Sequence, residues 1–235
     1  MKIRLKFTKL GPVQYVGHLD FLRFFQKALR RAGLPAGYSN GFHPHMLMSF
    51  ASPLGIGMES RGDYVDIHLD EAVARSELLN RLNACLADGV EVLDACLVRE
   101  EKKDNAMAMV RYADYLVTLT VNQPDLLTNM LHAQIDKRIN ELLSADHLLI
   151  RQQSKKQERE RDLRPHLHRL ELTFADDDSK TVSLYMRLSC GSANNVKPEA
   201  ILELLGLTAP FPSILRLDMM TDDFVSLAET GTREF

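Results

Sequence analysis

The chain has 235 residues, 45% hydrophobic and 26% charged, the balance of a folded globular protein of one large domain or two ordinary ones. No run approaches the ~18 apolar residues that a membrane span needs. The first residues alternate Lys2, Arg4 and Lys6 with Ile3, Leu5 and Phe7, so an apolar signal-peptide core is not expected there. Three scattered cysteines (Cys85, Cys96, Cys190) argue against a disulfide framework, a cysteine-held iron–sulfur cluster or a zinc ribbon, and a cytoplasmic location is expected.

In chain order, residues 2–8 alternate at the period of a half-buried strand. Residues 18–32 carry Leu19, Leu22, Phe24, Phe25, Ala28 and Leu29 at helical spacing, and Gly33 and Pro35 end that helix. Residues 36–46 read as a loop broken by Gly37, Asn40, Gly41 and Pro44. Strands are predicted at 46–52, 64–69 and 90–98, with a helix at 73–86. A short strand at 36–39 would complete a β-α-β-β-α-β order, the split βαβ or ferredoxin-like pattern. The second half repeats it. Strands are expected at 115–121, 148–152, 167–174, 181–188 and 214–219, with helices at 125–143 and 198–205. A charged run, residues 155–162, separates two of those strands. The fold class is therefore α+β, tandem ferredoxin-like domains with antiparallel sheets and helices on one face. The domains are set at 1–99 and 113–220, with a linker at 100–112 and a loose tail at 221–235.

A net charge of −3 conceals strong segregation. Residues 1–58 carry +7, with Asp20 the one acid among eight cations, and residues 151–169 carry +4. The segments 59–110, 111–150 and 170–235 carry −6, −2 and −6. Two basic blocks in an acidic chain set up local positive fields, either as solvated faces or as sites for an anionic partner.

The stretch Tyr38, Ser39, Asn40, Gly41, Phe42, His43, Pro44, His45 combines glycine punctuation, imidazoles, hydroxyls and aromatics, and His18 and Asp20 precede it at the helix entry. Histidines titrate near neutral pH, so His18, His43 and His45 are candidates for moving protons at a ribose hydroxyl. The same groups beside Arg23, Lys27, Arg30 and Arg31 equally suit passive phosphate binding. Asp20 has a plainer role too, as a carboxylate in a first helical turn. The spacing His43-Pro-His45 is not a helical ligand pair, HExxH is absent, and no metal site is assigned. Phosphate-binding loops of the GxGxxG and GxxxxGK[ST] types, a GxSxG elbow and a CxxxCxxC cluster motif are also missing.

The runs Tyr15-Val-Gly-His-Leu-Asp20, Ala28-Leu-Arg-Arg-Ala-Gly-Leu-Pro35, Tyr38-Ser-Asn-Gly-Phe42, Pro44-His45, Ser49-Phe50, Pro53-Leu-Gly-Ile-Gly57, Glu59-Ser60 and Tyr64-Val-Asp-Ile67 resemble the radical-SAM-linked protein family. That family is a bacterial domain of unknown function, standalone or fused to cobalamin-binding radical-SAM proteins. The likeness extends to Asp162-Leu-Arg-Pro165 and Val196-Lys-Pro-Glu-Ala-Ile-Leu202. Asn40 and Met46 depart from it, where glutamine and proline are expected. The resemblance implies a cytoplasmic radical-SAM partner that carries the iron–sulfur cluster and S-adenosylmethionine, with no cofactor in this chain. A looser, fold-level similarity is to the CRISPR repeat-processing endoribonucleases, and fold does not fix function.

The leading expectation is an RNA-binding accessory protein that presents tRNA or rRNA to a radical-SAM enzyme, without activity of its own. Arg23, Lys27, Arg30 and Arg31 would hold phosphates together with Ser39, Asn40, His43 and His45. Tyr38 and Phe42 would stack unpaired bases. Lys155, Lys156, Arg159, Arg161 and Arg164 would form a second patch, while Gly17, Asp20, Gly41, Pro44, Glu59 and Ser60 shape the loops. The alternatives are a metal-independent ribonuclease using His18, His43 or His45, and a module that only docks the radical-SAM partner.

Overall fold

The computed structural model describes all residues except 122–129, 154–157, 208 and 210, and the side chains of 152, 153, 158 and 159 also lie outside it. The chain divides into two compact units, residues 1–112 with 216–235, and residues 113–215.

In the first unit the strands β1 (Lys2–Lys9), β2 (Met48–Phe50), β3 (Glu59–His68) and β4 (Val92–Val98) alternate with the helices α1 (His18–Arg31) and α2 (Arg75–Asn83). β1 pairs antiparallel with β3 and β4, and β2 pairs antiparallel with β3, which gives the order β4-β1-β3-β2 of a ferredoxin-like sheet. The apolar side of β1 carries Ile3, Leu5 and Phe7, all fully buried with Phe21, Phe25 and Leu29 of α1 and Leu78 and Leu82 of α2. Phe7 lies 5.2 Å from Phe25 and 5.8 Å from Phe50 by ring centroids. Burying one such side chain is worth about 1.5–3 kcal/mol. Residues 36–39 form only isolated bridges, Ala36 to Leu69 and Tyr38 to Met46, so the second strand of the motif is β2 rather than the short strand expected there.

The other side of β1 departs from the half-buried reading. Lys2 and Arg4 are as buried as the apolar residues between them, at 4% and 1% exposure. Arg4 grips Asp66 with two hydrogen bonds of 2.8 and 3.1 Å, and it donates to Thr230 Oγ1 and to the carbonyl of Asp104. Lys2 Nζ lies 3.4 Å from Asp66, and Lys6 Nζ 3.0 Å from Asp218. The segments expected as linker and loose tail form the lid over this ionic layer. Residues 106–109 fold as α3 (Ala106–Met109), whose first N–H donates to Asp66. Thr232 exchanges two backbone hydrogen bonds with Leu97, and Arg233 pairs with Asp94. The physical reason is desolvation: a charged strand face under cover must be paired, and Asp66, Asp104 and Thr230 come from distant segments to pair it.

The strand β10 (Ser213–Met220), expected in the second domain, has Arg216–Met220 inside the first unit. Arg216 donates to Asp63 of β3 and to the Ser52 carbonyl. Gly62 permits this pairing, since a Cβ there would run into the backbone of Leu217 and Asp218.

The second unit holds β5 (Tyr112–Thr120), α4 (Leu131–Ser144), β6 (Leu149–Gln153), β7 (Glu158–Asp162), β8 (Leu167–Asp176), β9 (Thr181–Ser189) and α5 (Pro198–Leu204), with its strands ordered β5-β9-β8. Val182, Leu184, Met186 and Leu188 alternate along β9 and are all buried, as strand periodicity requires. Part of the charged run is itself a strand. β7 pairs with β6 as a hairpin that sets Arg151 opposite Glu160.

Candidate functional site

α1 is amphipathic. Phe21, Phe25, Ala28 and Leu29 turn inward, and Leu19, Arg23, Lys27 and Arg30 recur at helical spacing on the exposed side. Leu19, read as part of the apolar stripe, is 68% exposed. Gly17 is the N-cap, and its carbonyl takes the Phe21 N–H at 2.9 Å. Asp20, in the first turn, lies 3.3 Å from Arg23. His18 packs edge-on against Phe50 at 5.4 Å. Arg31 donates to the Cys85 carbonyl at 2.7 Å, which fixes its guanidinium at the end of the helix where basic residues oppose the dipole.

Residues 37–47 form a loop tied at its base. Gly37 donates to the His68 carbonyl, Leu47 to Gly37, and His68 to Leu47. One step further out, Ser39 N–H donates to the His45 carbonyl, His45 N–H to Ser39 Oγ at 3.0 Å, and that Oγ lies 2.7 Å from His45 Nδ1. Ser39 and His45 are thus each other's partners and close the loop. Beyond them Asn40, Gly41, Phe42, His43 and Pro44 are all exposed, with Gly41 at φ +115°, a region that favours glycine. Phe42 is 101% exposed and Tyr38 42%. Glu59 accepts the Gly11 N–H at 2.6 Å, and buried Ser60 accepts the Gly62 N–H at 3.1 Å, so both shape the adjoining backbone.

The three candidate histidines do not converge. His18 sits against Phe50, His43 stands in solvent, and His45 lines a cleft of about 260 Å³ with His68, Ser49 and Asn105. Of the expected second patch, the two described side chains make structural hydrogen bonds. Arg164 donates to the Ala145 and Leu143 carbonyls, capping the end of α4, and Arg161 donates to the Asn195 carbonyl. Lys155, Lys156 and the side chain of Arg159 lie outside the described residues. Among the described residues, no group of three or more His, Cys, Asp or Glu is placed to hold a metal ion. Burial pushes the Cys96 thiol up to about 11, the behaviour of a packing group rather than a nucleophile.

One imidazole pair does converge, on the hydroxyl of Ser189. Ser189 Oγ lies 3.0 Å from His168 Nε2 and 3.3 Å from His166 Nδ1, and burial holds both histidines below their ordinary value. The spacing His166-x-His168 carried a signal, but Ser189 comes from another strand. His68 was missed in the same way, because its place beside His45 follows from strand pairing.

The β-α-β-β-α-β succession and sheet order of the first unit define an α+β protein of ferredoxin-like topology, and in the second half the β6–β7 hairpin stands between α4 and β8. A solved structure with a similar fold is "Crystal Structure of a Cbf5-Nop10-Gar1 Complex", at TM-score 0.51 and 12% identity over 94% of this chain. The chain spans half the length of that solved chain. The chain belongs to the family described as "Uncharacterized protein conserved in bacteria (DUF2344)", whose model matches residues 2–198. The comparison with curated proteins finds no match. Among the described residues, no helix is long and apolar enough to cross a membrane.

Proposed function

We propose that this protein binds structured RNA through the outer side of α1 and the tip of the 37–47 loop, as an accessory to a radical-SAM enzyme that modifies or processes that RNA. The observation that carries the RNA reading is Phe42. A phenylalanine wholly in solvent contributes nothing to the fold and leaves its apolar surface hydrated, yet it stands on a loop whose base is held by backbone and Ser39–His45 hydrogen bonds. An exposed aromatic on a rigid support is a stacking platform for unpaired bases. The loop follows α1 after a few residues, and Lys27, Arg30 and Arg31 end that helix with exposed cations suited to phosphates. The radical-SAM partner rests on the sequence resemblance alone, as do its iron–sulfur cluster and S-adenosylmethionine. Separate surroundings for His18, His43 and His45 favour binding over ribonuclease chemistry at these residues.

The test is incubation of the full chain with end-labelled tRNA and rRNA fragments across a salt series. A mobility shift without cleavage is expected, with a log–log salt slope of roughly −2 to −3 for three to four phosphates on single strands. Cleavage products would overturn the accessory reading, and a flat salt response or no shift would overturn RNA binding. Crosslinked co-purification tests the partner: recovery of a radical-SAM protein is expected, and its absence would remove that half of the proposal.

A further inference from the structure

At the base of the 37–47 loop, within the first unit, lies the cleft of about 260 Å³ that His45 lines. Its walls are chemically mixed. Leu47 and Met48 offer apolar surface, while His45, His68, Ser49 and Asn105 offer hydrogen-bond donors and acceptors. The volume falls below the ~300–1,000 Å³ of sites for drug-sized ligands, so it suits a single small ring system. Its charges are already matched. Lys2 and Asp66 lie 3.4 Å apart on the buried side, Glu101 lies 3.0 Å from Lys103, and the remaining rim groups Glu100 and Lys102 have opposite signs. A phosphate, which needs concentrated positive charge, gains little here. A neutral ring with polar edges gains hydrogen bonds and apolar contact together. Burial holds His68 below its ordinary value, which favours the neutral imidazole with one donor and one acceptor.

We propose that this cleft receives one unpaired nucleobase, extruded from an RNA held by α1 and the 37–47 loop. The inference rests on the RNA-binding reading and extends it to a substrate class: RNA with a base that can leave its stack. Phe42 at the loop tip would fill the space the base vacates, an apolar wedge that lowers the cost of unstacking. His45, held by Ser39, lines the cleft as an exposed group available to the ring.

The experiment uses the full chain and a tRNA anticodon stem–loop with 2-aminopurine at successive unpaired positions, read by fluorescence and by mobility shift on the same samples. A several-fold fluorescence rise at one position is expected, because the base leaves its neighbours. His68→Gln, which keeps volume and polarity, should reduce the rise, and Ser49→Trp, which fills the cleft, should abolish it. Both should leave the mobility shift intact. If Ser49→Trp does not fold, Asn105→Ala takes its place with the same expected direction. A normal shift with no fluorescence rise at any position, or a rise unchanged in the cleft variants, overturns the cleft proposal and leaves the RNA-binding reading standing. No shift at all overturns the RNA-binding reading, and the cleft proposal with it.

Discussion

Arg4 and Arg30 belong to the same basic block, yet Arg4 is 1% exposed and bound on all sides while Arg30 lies in solvent. The difference is the surface each element offers. β1 is covered on both sides, so Lys2, Arg4 and Lys6 are matched by Asp66 and Asp218 and contribute no field to a partner. Lys9 is also withdrawn, donating to the Val16 carbonyl at 2.8 Å, with burial holding its ammonium below its ordinary value. α1 is covered on one side only, and Lys27 and Arg30 on its outer side stand in solvent. A sum of charges along a segment therefore overstates what a nucleic acid meets, here by about half the block.

The largest effect should come from the buried side. Arg4→Met removes both guanidinium hydrogen bonds to the buried Asp66 and leaves that carboxylate to Lys2 at 3.4 Å, and losing one partner of a buried pair costs about 3–5 kcal/mol. A fall of that size in the unfolding free energy from a denaturant titration is expected. A change below about 1 kcal/mol would mean that the ionic layer is hydrated rather than sealed.

On the exposed side, Lys27→Glu with Arg30→Glu should reverse the picture. RNA affinity at low salt should drop on the order of tenfold or more. Stability should move by less than about 0.5 kcal/mol, as for surface substitutions elsewhere. Unfolding of this variant in circular dichroism would place these cations with Arg4 rather than opposite it. Phe42→Ala should weaken RNA binding by about 1–3 kcal/mol, the value of one stacked base, with no loss of thermal stability. Equal affinity in a filter-binding titration would show that the loop tip does not touch RNA.

The smallest effect concerns acid. Burial alone would raise the Asp94 carboxyl, but hydrogen bonds from Arg233, Arg75 and the Ala95 N–H outweigh it and hold the group below its ordinary 3.8. A depressed carboxyl adds stability that is present above its unfolded value and lost as pH falls through the folded one. Asp94→Asn should therefore lower stability at neutral pH and flatten its decline below about pH 4, measured by urea unfolding across pH. A decline as steep as in the parent protein would show that other carboxyls govern the acid limit.

Local signals were enough for α1: its apolar spacing, Gly33 and Pro35 fix both its extent and its outward cations, because helical periodicity is read within a few turns. The strand at β1 and the exposed loop tip were legible for the same reason. The alternation in β1 was legible too, but not its meaning. Period two says that two sides differ, whereas burial depends on what arrives to cover each. Residues 104–106 and 230–233 arrive from far along the chain, carrying partners for Arg4, Asp66 and Asp94 that no local window contains. Arg164 looked like a free cation in a basic run and became a helix cap, because α4 ends where its guanidinium reaches. Neighbouring residues were enough for most of the elements, though not for β7 or α3, and for the amphipathic α1 and the glycine-punctuated loop. Tertiary structure alone decided which charges stay free, which histidines meet and where a cleft opens, since these depend on segments brought together by strand pairing and by the need to neutralise buried charge.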